Sequence, residues 1–414
     1  MSVDEGVQVG DTWRELSEDD PFGLQTLPFG SFSARHLPGP RVGVRLGDAV
    51  LDLTAASHYL GPRYARMFVN GSLDRFLASG PDTWSHVRGA LVDWFRNPTY
   101  HDRIDPLMVS LADTKPRLPF TVADYVDFYA SEHHATNLGR LFRPGQPPLP
   151  ENWKQLPVGY HGRSGTVVVS GTPIVRPKGL RKERADGPAT YGPSRKLDIE
   201  AEVGFVVGTP SDLGTSVPIS DFERHVFGVC IVNDWSARDI QAFEYVPLGP
   251  FLGKSFATSI SPWIVPLEAF GAARVAPPKR DPKPVAYLDD SDEEPGGLDI
   301  TLEVELSGKV ISRPPFASMY WTAAQQLAHL TTNGASLRTG DLYASGTVSG
   351  PASNERGSLI ELTWNGERPL RLTDGAIRSF LEDGDQVTIR ATAPGPGGTT
   401  VGLGEVTGRV RPSV

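Results

Sequence analysis

The sequence has very little cysteine and no long hydrophobic run. Cys230 is the only cysteine in 414 residues, so no internal disulfide can form and a reducing compartment is expected. The longest apolar stretch, around Val226 to Val232, is far shorter than the roughly 18 residues that span a bilayer. Met1 to Asp20 contains seven acids and one arginine, unlike a signal or transit peptide. These absences predict a cytoplasmic protein with no membrane partner.

An excess of basic charge is also missing. The chain has 40 Lys and Arg against 49 Asp and Glu, a net charge of −9, and no basic stripe. Because nucleic-acid binding depends on neutralising phosphates with Lys and Arg, nucleic acid is not expected as a partner. The one basic cluster, Arg176 to Arg184, is interrupted by Gly179 and Glu183 and is interpreted as a solvated surface loop.

Glycine and proline, in contrast, are abundant. The 44 glycines and 37 prolines make up close to a fifth of the chain, whereas the two together average about 12%. This excess argues against helical bundles, coiled coils and helical repeats and favours a strand-rich, loop-rich globule. With 39% hydrophobic residues the chain can form a real core. Its length suggests two or three domains, or one small and one large domain.

The first part of the chain is predicted to be a small mixed domain. Alternating apolar residues at Arg41 to Leu46 and the following Ala49 to Leu53 predict a hairpin that turns at Gly47-Asp48. A helix starting near Asp82 is predicted from apolar residues at spacings of three and four, namely Trp84, Val87, Leu91, Trp94 and Phe95. The Pro116 to Pro119 stretch suggests a boundary, which gives domains of residues 1–118 and 119–414.

The rest of the chain has a mostly β pattern. Stretches rich in branched residues and bounded by Gly, Pro or Asp predict strands at Thr166 to Ser170, Leu197 to Val207, Val226 to Val232, Leu298 to Leu306 and Leu359 to Trp364. The acidic run Asp289 to Glu294, which precedes Pro-Gly-Gly, is interpreted as a mobile surface loop without an assigned function.

One predicted strand contains a row of carboxylates. In the stretch Leu197 to Phe205, alternate apolar residues share one face, so Asp198, Glu200 and Glu202 share the other. Like charges this close need solvent, arginine or a metal ion, and oxygen ligands alone select hard cations such as Mg²⁺, Ca²⁺ or Mn²⁺. The alternative is an ordinary amphipathic strand with one wet face.

A second group of polar residues follows the buried strand Val226 to Val232. Asp234 comes at its end, and a helix with Ser236 as its cap would place Arg238, Gln241 and Tyr245 on one face. This face could serve a ligand or be an ordinary surface. Lys254 lies in a glycine-rich, tight loop that lacks the spacing of a phosphate-binding P-loop.

A third group, Asp124 to His134, offers carboxylates, phenols and two histidines. An isolated histidine is more often structural, and the His-Glu-x-x-His pattern of zinc sites is absent. The Gly-x-Ser-x-Gly and Gly-x-Gly-x-x-Gly motifs are also absent, which weakens the serine hydrolase and dinucleotide-binding hypotheses.

At these residues the sequence resembles the fumarylacetoacetate hydrolase family. The most specific match is the long run Glu244 to Phe256. The other matching stretches are Asp124 to Tyr129, His134 to Asn137, Leu156 to Arg163, Val169 to Pro173, Leu197 to Glu202, Asn233 to Ile240 and Ala344 to Thr347. They span about residues 119 to 408, and the hairpin Arg41 to Leu53 resembles the small domain of the family.

The resemblance implies a mainly β fold with some α, in which a small SH3-like N-terminal domain precedes a large C-terminal β-sandwich roll. It also implies a homodimer and a divalent cation, Ca²⁺ or Mg²⁺, in each site. The implied metal ligands are Asp127, Glu200, Glu202 and Asp234. The implied catalytic residues are His134 as the base, Glu361 as its orienting acid, and Arg238, Gln241 and Lys254 as the groups that meet negative charge. The implied substrate contacts are Tyr129, Arg143, Tyr160, Gln241, Tyr245 and Thr347.

The activity implied is hydrolysis of the carbon–carbon bond of fumarylacetoacetate, a 1,3-diketone, to fumarate and acetoacetate in tyrosine and phenylalanine breakdown. A second cation site, for Mg²⁺ or Na⁺, would involve Lys254 and Thr258, although Ala257 stands where the family usually has glycine. The alternatives are a related acylpyruvate hydrolase, isomerase or decarboxylase on the same metal scaffold, and a non-catalytic metal-binding protein.

Overall fold

The structure, a computed structural model, describes residues 12–17, 19–184 and 186–414. It is mainly β with some helices, and an N-terminal part precedes a larger C-terminal part. Most of the acidic segment Met1 to Asp20 lies outside the described residues. Among the helices that are described, none has the length and apolar composition needed to cross a membrane.

The strands divide between the two parts of the chain. Those of the N-terminal part are β1 (Phe29–Ala34), β2 (Arg41–Leu46), β3 (Ala49–Asp52), β4 (Met108–Ser110) and β5 (Thr114–Arg117). Those of the C-terminal part are β6 (Tyr125–Phe128), β7 (Gly159–His161), β8 (Val167–Val169), β9 (Ile174–Val175), β10 (Lys178–Lys182), β11 (Ala189–Pro193), β12 (Leu197–Asp198), β13 (Ala201–Val207), β14 (Val226–Asp234), β15 (Ser236–Ala237), β16 (Thr258–Ile260), β17 (Trp263–Pro266), β18 (Arg274–Val275), β19 (Gly297–Leu298), β20 (Thr301–Leu306), β21 (Lys309–Ser312), β22 (Leu342–Ala344), β23 (Leu370–Arg371), β24 (Ile377–Arg378), β25 (Gln386–Pro394) and β26 (Thr400–Arg411).

Most helices are short. The α-helices are α1 (Leu53–Ala56), α2 (Pro62–Ala65), α3 (Asp74–Leu77), α4 (Pro81–Arg96), α5 (His101–Ile104), α6 (Glu132–Phe142), α7 (Phe222–His225), α8 (Arg238–Glu244), α9 (Ala323–Thr331) and α10 (Leu359–Leu362). The 3-10 helices are Ser57–Leu60, Pro98–Tyr100, Asp105–Leu107, Leu111–Asp113, Ser164–Thr166, Ile219–Asp221, Leu267–Ala273, Ala286–Leu288, Phe316–Ser318 and Pro396–Gly398.

Two predicted N-terminal elements are confirmed. β2 and β3 pair antiparallel from Gly43 opposite Asp52 to Leu46 opposite Ala49. The predicted amphipathic helix is α4, in which all five of the predicted apolar residues are buried. Because this helix buries one face only, the spacing of its apolar residues is visible in the sequence.

A large mixed sheet joins the N-terminal and C-terminal parts. Its main path runs in the order β4-β3-β2-β1-β17-β14-β13-β22-β6-β7. The two parts meet where β1 pairs antiparallel with β17, with Phe29 opposite Ile264 and Gly30 opposite Trp263. A second sheet has the order β21-β20-β25-β26-β9. The site described below lies on the C-terminal half of the large sheet.

Both faces of the large sheet are covered at its centre. On one face Phe205 shares a hydrophobic core with Ile389 of the second sheet. On the other face Cys230 shares a core with Phe76 and Trp84 of the N-terminal part. Cys230 is therefore a core residue, as predicted, and burial raises the pKa of its thiol to about 12.

The structure corrects the prediction of one regular strand with an exposed face at Leu197 to Val207. The stretch is divided into β12 and β13, with Ile199 and Glu200 between them, and all of its residues are buried. The alternative of an amphipathic strand with one wet face is therefore wrong. Its three carboxylates need partners other than bulk water.

The predicted strand at Leu359 to Trp364 is also wrong, because the chain forms helix α10 there. The buried carboxylate of Asp198 accepts the N–H groups of Leu359 at 2.7 Å and of Ile360 at 3.1 Å. A carboxylate that accepts the first N–H groups of a helix stabilises its N-terminus. Because this partner lies far away in the sequence, no local signal marks the start of the helix, and the branched residues there predict a strand instead.

Two smaller predictions also differ from the structure. Ser236 does not cap α8; its hydroxyl donates to the carbonyl of Asp234 at 3.0 Å instead. The basic cluster Arg176 to Arg184 contains strand β10, which pairs with β11 and buries Arg181, so it is not simply a solvated loop. The acidic run Asp289 to Glu294 does lie in a loop, as predicted, and Asp290 pairs there with Arg280 at 3.0 Å.

We expect Asp198→Ala to destabilise the protein by about 3 kcal/mol or more, because it removes the partner of a buried guanidinium and of two helix N–H groups. Chemical denaturation followed by circular dichroism measures this loss. The matched control is Asp292→Ala, an exposed aspartate that should change stability by less than about 0.5 kcal/mol. Equal stability of the two variants would contradict this role of Asp198.

Candidate active site

Three buried carboxylates converge at one end of the large sheet. Asp127 lies on β6, Glu202 on β13 and Asp234 at the end of β14, and one ligand atom from each lies within 4.8 Å of the others. Side chains two residues apart share a face of a strand, so Asp127 lies on the same face as Tyr125, which belongs to the core beside the N-terminal part. The alternation of these strands thus brings distant acids together.

Glu202 is buried without a hydrogen-bond partner among the described residues. Both of its carboxylate oxygens are buried without a hydrogen bond within the part of the chain that the structure describes. Burial raises its pKa well above the usual range, and the charges of Asp127 and Asp234 raise it further. Burial also raises the pKa of Asp234 to about 6, although Arg163 and Lys254 act in the opposite direction.

Glu200, predicted as a fourth metal ligand, is engaged differently. Its carboxylate forms ion pairs with Arg238, at 2.8 Å, and with Lys254. Burial raises the pKa of Glu200, but these two cations outweigh it, so its pKa lies below the usual range. The Lys254 ammonium also lies 2.6 Å from Asp234. Glu200 is therefore beside the three converging acids but is held by cations.

The three converging carboxylates could hold a divalent metal ion. Hard cations such as Mg²⁺ and Ca²⁺ prefer oxygen ligands of this kind. A buried carboxylate without any partner is costly, and a cation bound beside Glu202 would remove that cost. The donor set therefore fits the kind of metal that the sequence predicted, whereas its identity as Ca²⁺ or Mg²⁺ stays a prediction.

Thr258, which is predicted to contribute to a secondary cation site, lies next to Asp234. The Thr258 hydroxyl donates to the second oxygen of Asp234 at 3.0 Å. Thr258 follows Ala257 at the start of β16, which pairs with β14 opposite Asp234. This contact keeps Thr258 beside the acids, and its role in cation binding stays a prediction.

His134 and Glu361 form a buried pair. The Nδ1 atom of His134 lies 2.7 Å from a carboxylate oxygen of Glu361, and the Nε2 atom lies 3.8 Å from Glu200. Ser131 begins helix α6 by accepting the N–H of His134, which fixes the histidine in the first turn. The Nε2 atom therefore faces Glu200 and the three converging carboxylates.

Glu361 is held by several donors. Asn137 donates to one of its oxygens at 2.9 Å, and the hydroxyls of Ser349 and Ser358 donate to the other at 3.0 and 2.7 Å. Burial raises the pKa of Glu361, but His134 and these hydrogen bonds outweigh it and lower the pKa to about 2. An ionised carboxylate only accepts hydrogen bonds, so it fixes the proton of His134 on Nδ1.

A cavity of about 340 Å³ connects these groups. Twelve of the predicted site residues line it: Asp127, Tyr129, His134, Arg143, Tyr160, Glu200, Glu202, Arg238, Gln241, Tyr245, Lys254 and Thr347. The other three, Asp234, Glu361 and Thr258, lie behind the lining and contact Lys254, His134 and Asp234 respectively. The structure therefore brings all the predicted site residues together.

Another cavity, of about 460 Å³, lies between the two parts of the chain, but its lining has fewer groups that could take part in a reaction. Of its two acids, Glu223 pairs with Arg274 and Glu268 pairs with Arg88. The smaller cavity is the candidate active site because it contains the histidine and the unpaired buried carboxylate.

Some residues of the site were not assigned from the sequence. Arg163 pairs with two of the converging acids, and Asn137, Ser349 and Ser358 hold Glu361. Arg163 and Asn137 lie in stretches that carry the family resemblance, which is a usable signal. The two serines are common residues in loops and give no such signal.

Comparison with known proteins gives matches over nearly the whole chain. The family model described as "Fumarylacetoacetate (FAA) hydrolase C-terminal" matches residues 124–411, and "Fumarylacetoacetase N-terminal" matches residues 25–119. The fumarylacetoacetase of Homo sapiens is 44% identical over 96% of this chain and 98% of its own length. That of Arabidopsis thaliana is 43% identical over 96% and 98%.

Solved structures share the fold at low identity. A fumarylacetoacetate hydrolase from Exiguobacterium antarcticum has a TM-score of 0.52 at 19% identity and covers 93% of this chain and 99% of its own. A maleylpyruvate hydrolase from Sphingobium sp. SYK-6, in complex with manganese and pyruvate, has a TM-score of 0.52 at 15% identity, with coverage of 94% and 100%. The family models and the identities show that this chain belongs to the fumarylacetoacetate hydrolase family.

Proposed function

We propose that this protein hydrolyses the carbon–carbon bond of fumarylacetoacetate to give fumarate and acetoacetate, the last step of tyrosine and phenylalanine breakdown. The observation that carries the proposal is the buried His134–Glu361 pair, which opens onto a cavity lined by acids and cations. The similarity to fumarylacetoacetases, 44% identical over 96% of the chain, supports it.

His134 is the proposed general base. Its Nδ1–H donates to Glu361, so the lone pair of Nε2 can take a proton from water in the cavity. The water oxygen then bonds to the carbonyl carbon next to the scissile bond. When that bond breaks, its electron pair leaves with the acetoacetate carbon, which afterwards receives a proton. This sequence consumes one water and yields two carboxylic acids.

Cations and an amide are proposed to stabilise the alkoxide that forms at the attacked carbonyl. A guanidinium N–H of Arg238 donates to the side-chain carbonyl of Gln241 at 3.1 Å, which leaves the amide N–H₂ of Gln241 available to a ligand. Lys254, buried beside Glu200, supplies a further donor on the cavity wall. Donors fixed in advance around a developing charge are usually the largest contribution to catalysis.

Polar groups on the cavity wall are the proposed substrate contacts. The hydroxyl of Thr347 is buried and, in the described residues, has no hydrogen-bond partner, so it can donate to a ligand. Arg143 would bind a substrate carboxylate through its guanidinium. The phenols of Tyr129, Tyr160 and Tyr245 complete the set.

The proposed cofactor is a divalent cation, Ca²⁺ or Mg²⁺, held by Asp127, Glu202 and Asp234, with Glu200 beside them. When bound, it supplies Lewis-acid stabilisation of the diketone and the departing enolate. Lys254 and Thr258 would contribute to a second site for Mg²⁺ or Na⁺. These assignments rest on the convergence of the three acids and on the unpartnered Glu202.

The remaining proposals concern the whole chain. We propose that residues 1–118 form an SH3-like N-terminal domain and residues 119–414 the C-terminal domain. We also propose a cytoplasmic location without nucleic-acid or membrane partners. We also propose a homodimer. Support comes from an exposed apolar loop after α8, where Val246, Leu248 and Phe251 are 67%, 95% and 69% exposed. Patches of this kind often mark protein interfaces.

The purified protein with a divalent cation is expected to remove the diketone absorbance of fumarylacetoacetate. We expect His134→Ala to lower kcat by about 10²- to 10⁴-fold, because it removes the base. His133→Ala, which changes the neighbouring histidine outside the Glu361 pair, is the matched control and should stay close to wild type.

Two outcomes would contradict the proposed function. One is full activity of His134→Ala, and the other is faster turnover of acetylpyruvate than of fumarylacetoacetate. The latter would favour acylpyruvate hydrolysis on the same scaffold.

Cation binding is expected to release protons. Since the raised pKa values of Glu202 and Asp234 leave a proton in the metal-free cluster, the cation must displace it, and affinity should fall as pH is lowered from about 7 to 5. Calorimetric titration of Mn²⁺ into EDTA-treated protein, in two buffers of different ionisation enthalpy, counts the protons. Glu202→Gln should bind more weakly and release fewer protons. Binding without proton release at any pH in this range would contradict the proposed cluster.

The homodimer should depend on the exposed loop. We expect the double variant Leu248→Asp/Phe251→Asp to elute as a monomer in size-exclusion chromatography with light scattering, because charges would be placed on the apolar contact. Leu213→Asp, which changes an apolar residue that is 83% exposed elsewhere, should leave the dimer intact. A double variant that remains dimeric would show that this loop is not the interface.

A further inference from the structure

Arg163 is a buried arginine at the edge of the carboxylate cluster. Its side chain is 5% exposed and follows the short strand β7. One guanidinium nitrogen, Nη2, lies 2.8 Å from Asp127 and 2.6 Å from Asp234. These two aspartates lie on β6 and β14, which are separated in the sheet by β22 and β13. A single nitrogen thus bridges acids that come from non-adjacent strands.

The other terminal nitrogen of Arg163 has a different partner. Nη1 donates to the phenol oxygen of Tyr160 at 2.5 Å. The guanidinium also lies 5.1 Å from the centroid of the Tyr160 ring and 5.0 Å from that of Tyr125. Contacts with aromatic faces at this distance are attractive for a guanidinium. Hydrogen bonds at both terminal nitrogens therefore fix the orientation of the planar guanidinium.

The backbone at Arg163 is unusual for its residue type. Its φ angle is 62°, in the left-handed region that favours glycine. The carbonyl of Arg163 accepts both the N–H and the hydroxyl of Thr166 at 3.1 Å, which holds this turn. A glycine here would avoid the strain but would lack every contact of the guanidinium.

We propose that Arg163 is a positioning residue that couples the metal-binding carboxylates to the substrate-binding phenol of Tyr160. The guanidinium fixes the orientation of Asp127 and Asp234 before a cation binds, and it fixes the Tyr160 hydroxyl at the wall of the cavity. The substrate half of this inference rests on the proposed function; the cation half does not.

A simpler role would be that of a competing charge. A guanidinium that only occupied the carboxylates would weaken cation binding, and its removal would strengthen it. A guanidinium that orients the carboxylates does the opposite, since loss of the outer partners of metal ligands typically weakens binding by about 10- to 100-fold. The sign of the change in cation affinity therefore separates the two roles.

Calorimetric titration of Mn²⁺ into metal-free protein tests the cation half. We expect Arg163→Gln to bind Mn²⁺ about 10- to 100-fold more weakly than wild type, and Arg163→Lys, which keeps the charge but not the fork, to lose less. Arg313→Gln, which removes an exposed arginine paired with Glu303, is the control and should bind like wild type. Wild-type or tighter Mn²⁺ binding by Arg163→Gln would overturn the proposal.

A double-mutant cycle tests the substrate half. We expect Arg163→Lys and Tyr160→Phe each to raise KM for fumarylacetoacetate by more than they lower kcat. The double variant should be no worse than the more affected single variant, because both remove the same contact. Independent, multiplicative effects would overturn the coupling.

Two further results keep the test decisive. If circular dichroism shows that Arg163→Gln does not fold, the Mn²⁺ affinity of Arg163→Lys decides the cation half, and an unchanged value would overturn it. If the wild-type protein does not hydrolyse fumarylacetoacetate, the proposed function fails, whereas the Mn²⁺ titrations still judge the positioning role of Arg163.

Discussion

Burial of carboxylates inside a sheet that is covered on both faces is the constraint on which the site depends. Bulk water solvates these buried acids little, so an ionised carboxylate here needs a cation or a set of hydrogen-bond donors. Glu200 lies between Arg238 and Lys254, and Arg163 bridges Asp127 and Asp234. The cations are as deeply buried as the acids, and each contacts at least two carboxylates. The polar centre is therefore one network whose members fix each other.

The same network positions the proposed base. Asp198 is fully buried and accepts from the Arg238 guanidinium at 2.8 Å as well as from the first N–H groups of α10. Helix α10 carries Glu361, which in turn holds His134. One carboxylate thus links Arg238 on the cavity wall to the histidine pair. The family resemblance did not assign a metal-binding role to Asp198, and its contacts give it a structural role instead.

Whether an element can be predicted from the sequence depends on how near its partners lie along the chain. Helix α4 buries one face against local neighbours, so its periodicity predicts it well. Helix α10 begins on a carboxylate 161 residues away, which no local pattern reveals. Alternation and resemblance predict that the acids form a group, but they do not predict its burial, because the cover comes from the distant N-terminal part. Arg163 has no spacing signal, since its partners lie on three different strands.

The charges at the site explain why it suits a metal ion better than a cluster of ion pairs made only of protein side chains. Asp127, Asp234 and Glu200 each contact a buried cation, whereas Glu202 contacts none in the part of the chain that the structure describes. A further lysine or arginine would pair with Glu202 but would also fill space beside the cavity. A small divalent ion would use oxygens from all three converging acids and leave the wall open to a ligand. Glu202 therefore affects both stability and chemistry. Burying it unpaired costs stability, and a cation bound to it would serve the reaction proposed for the cavity.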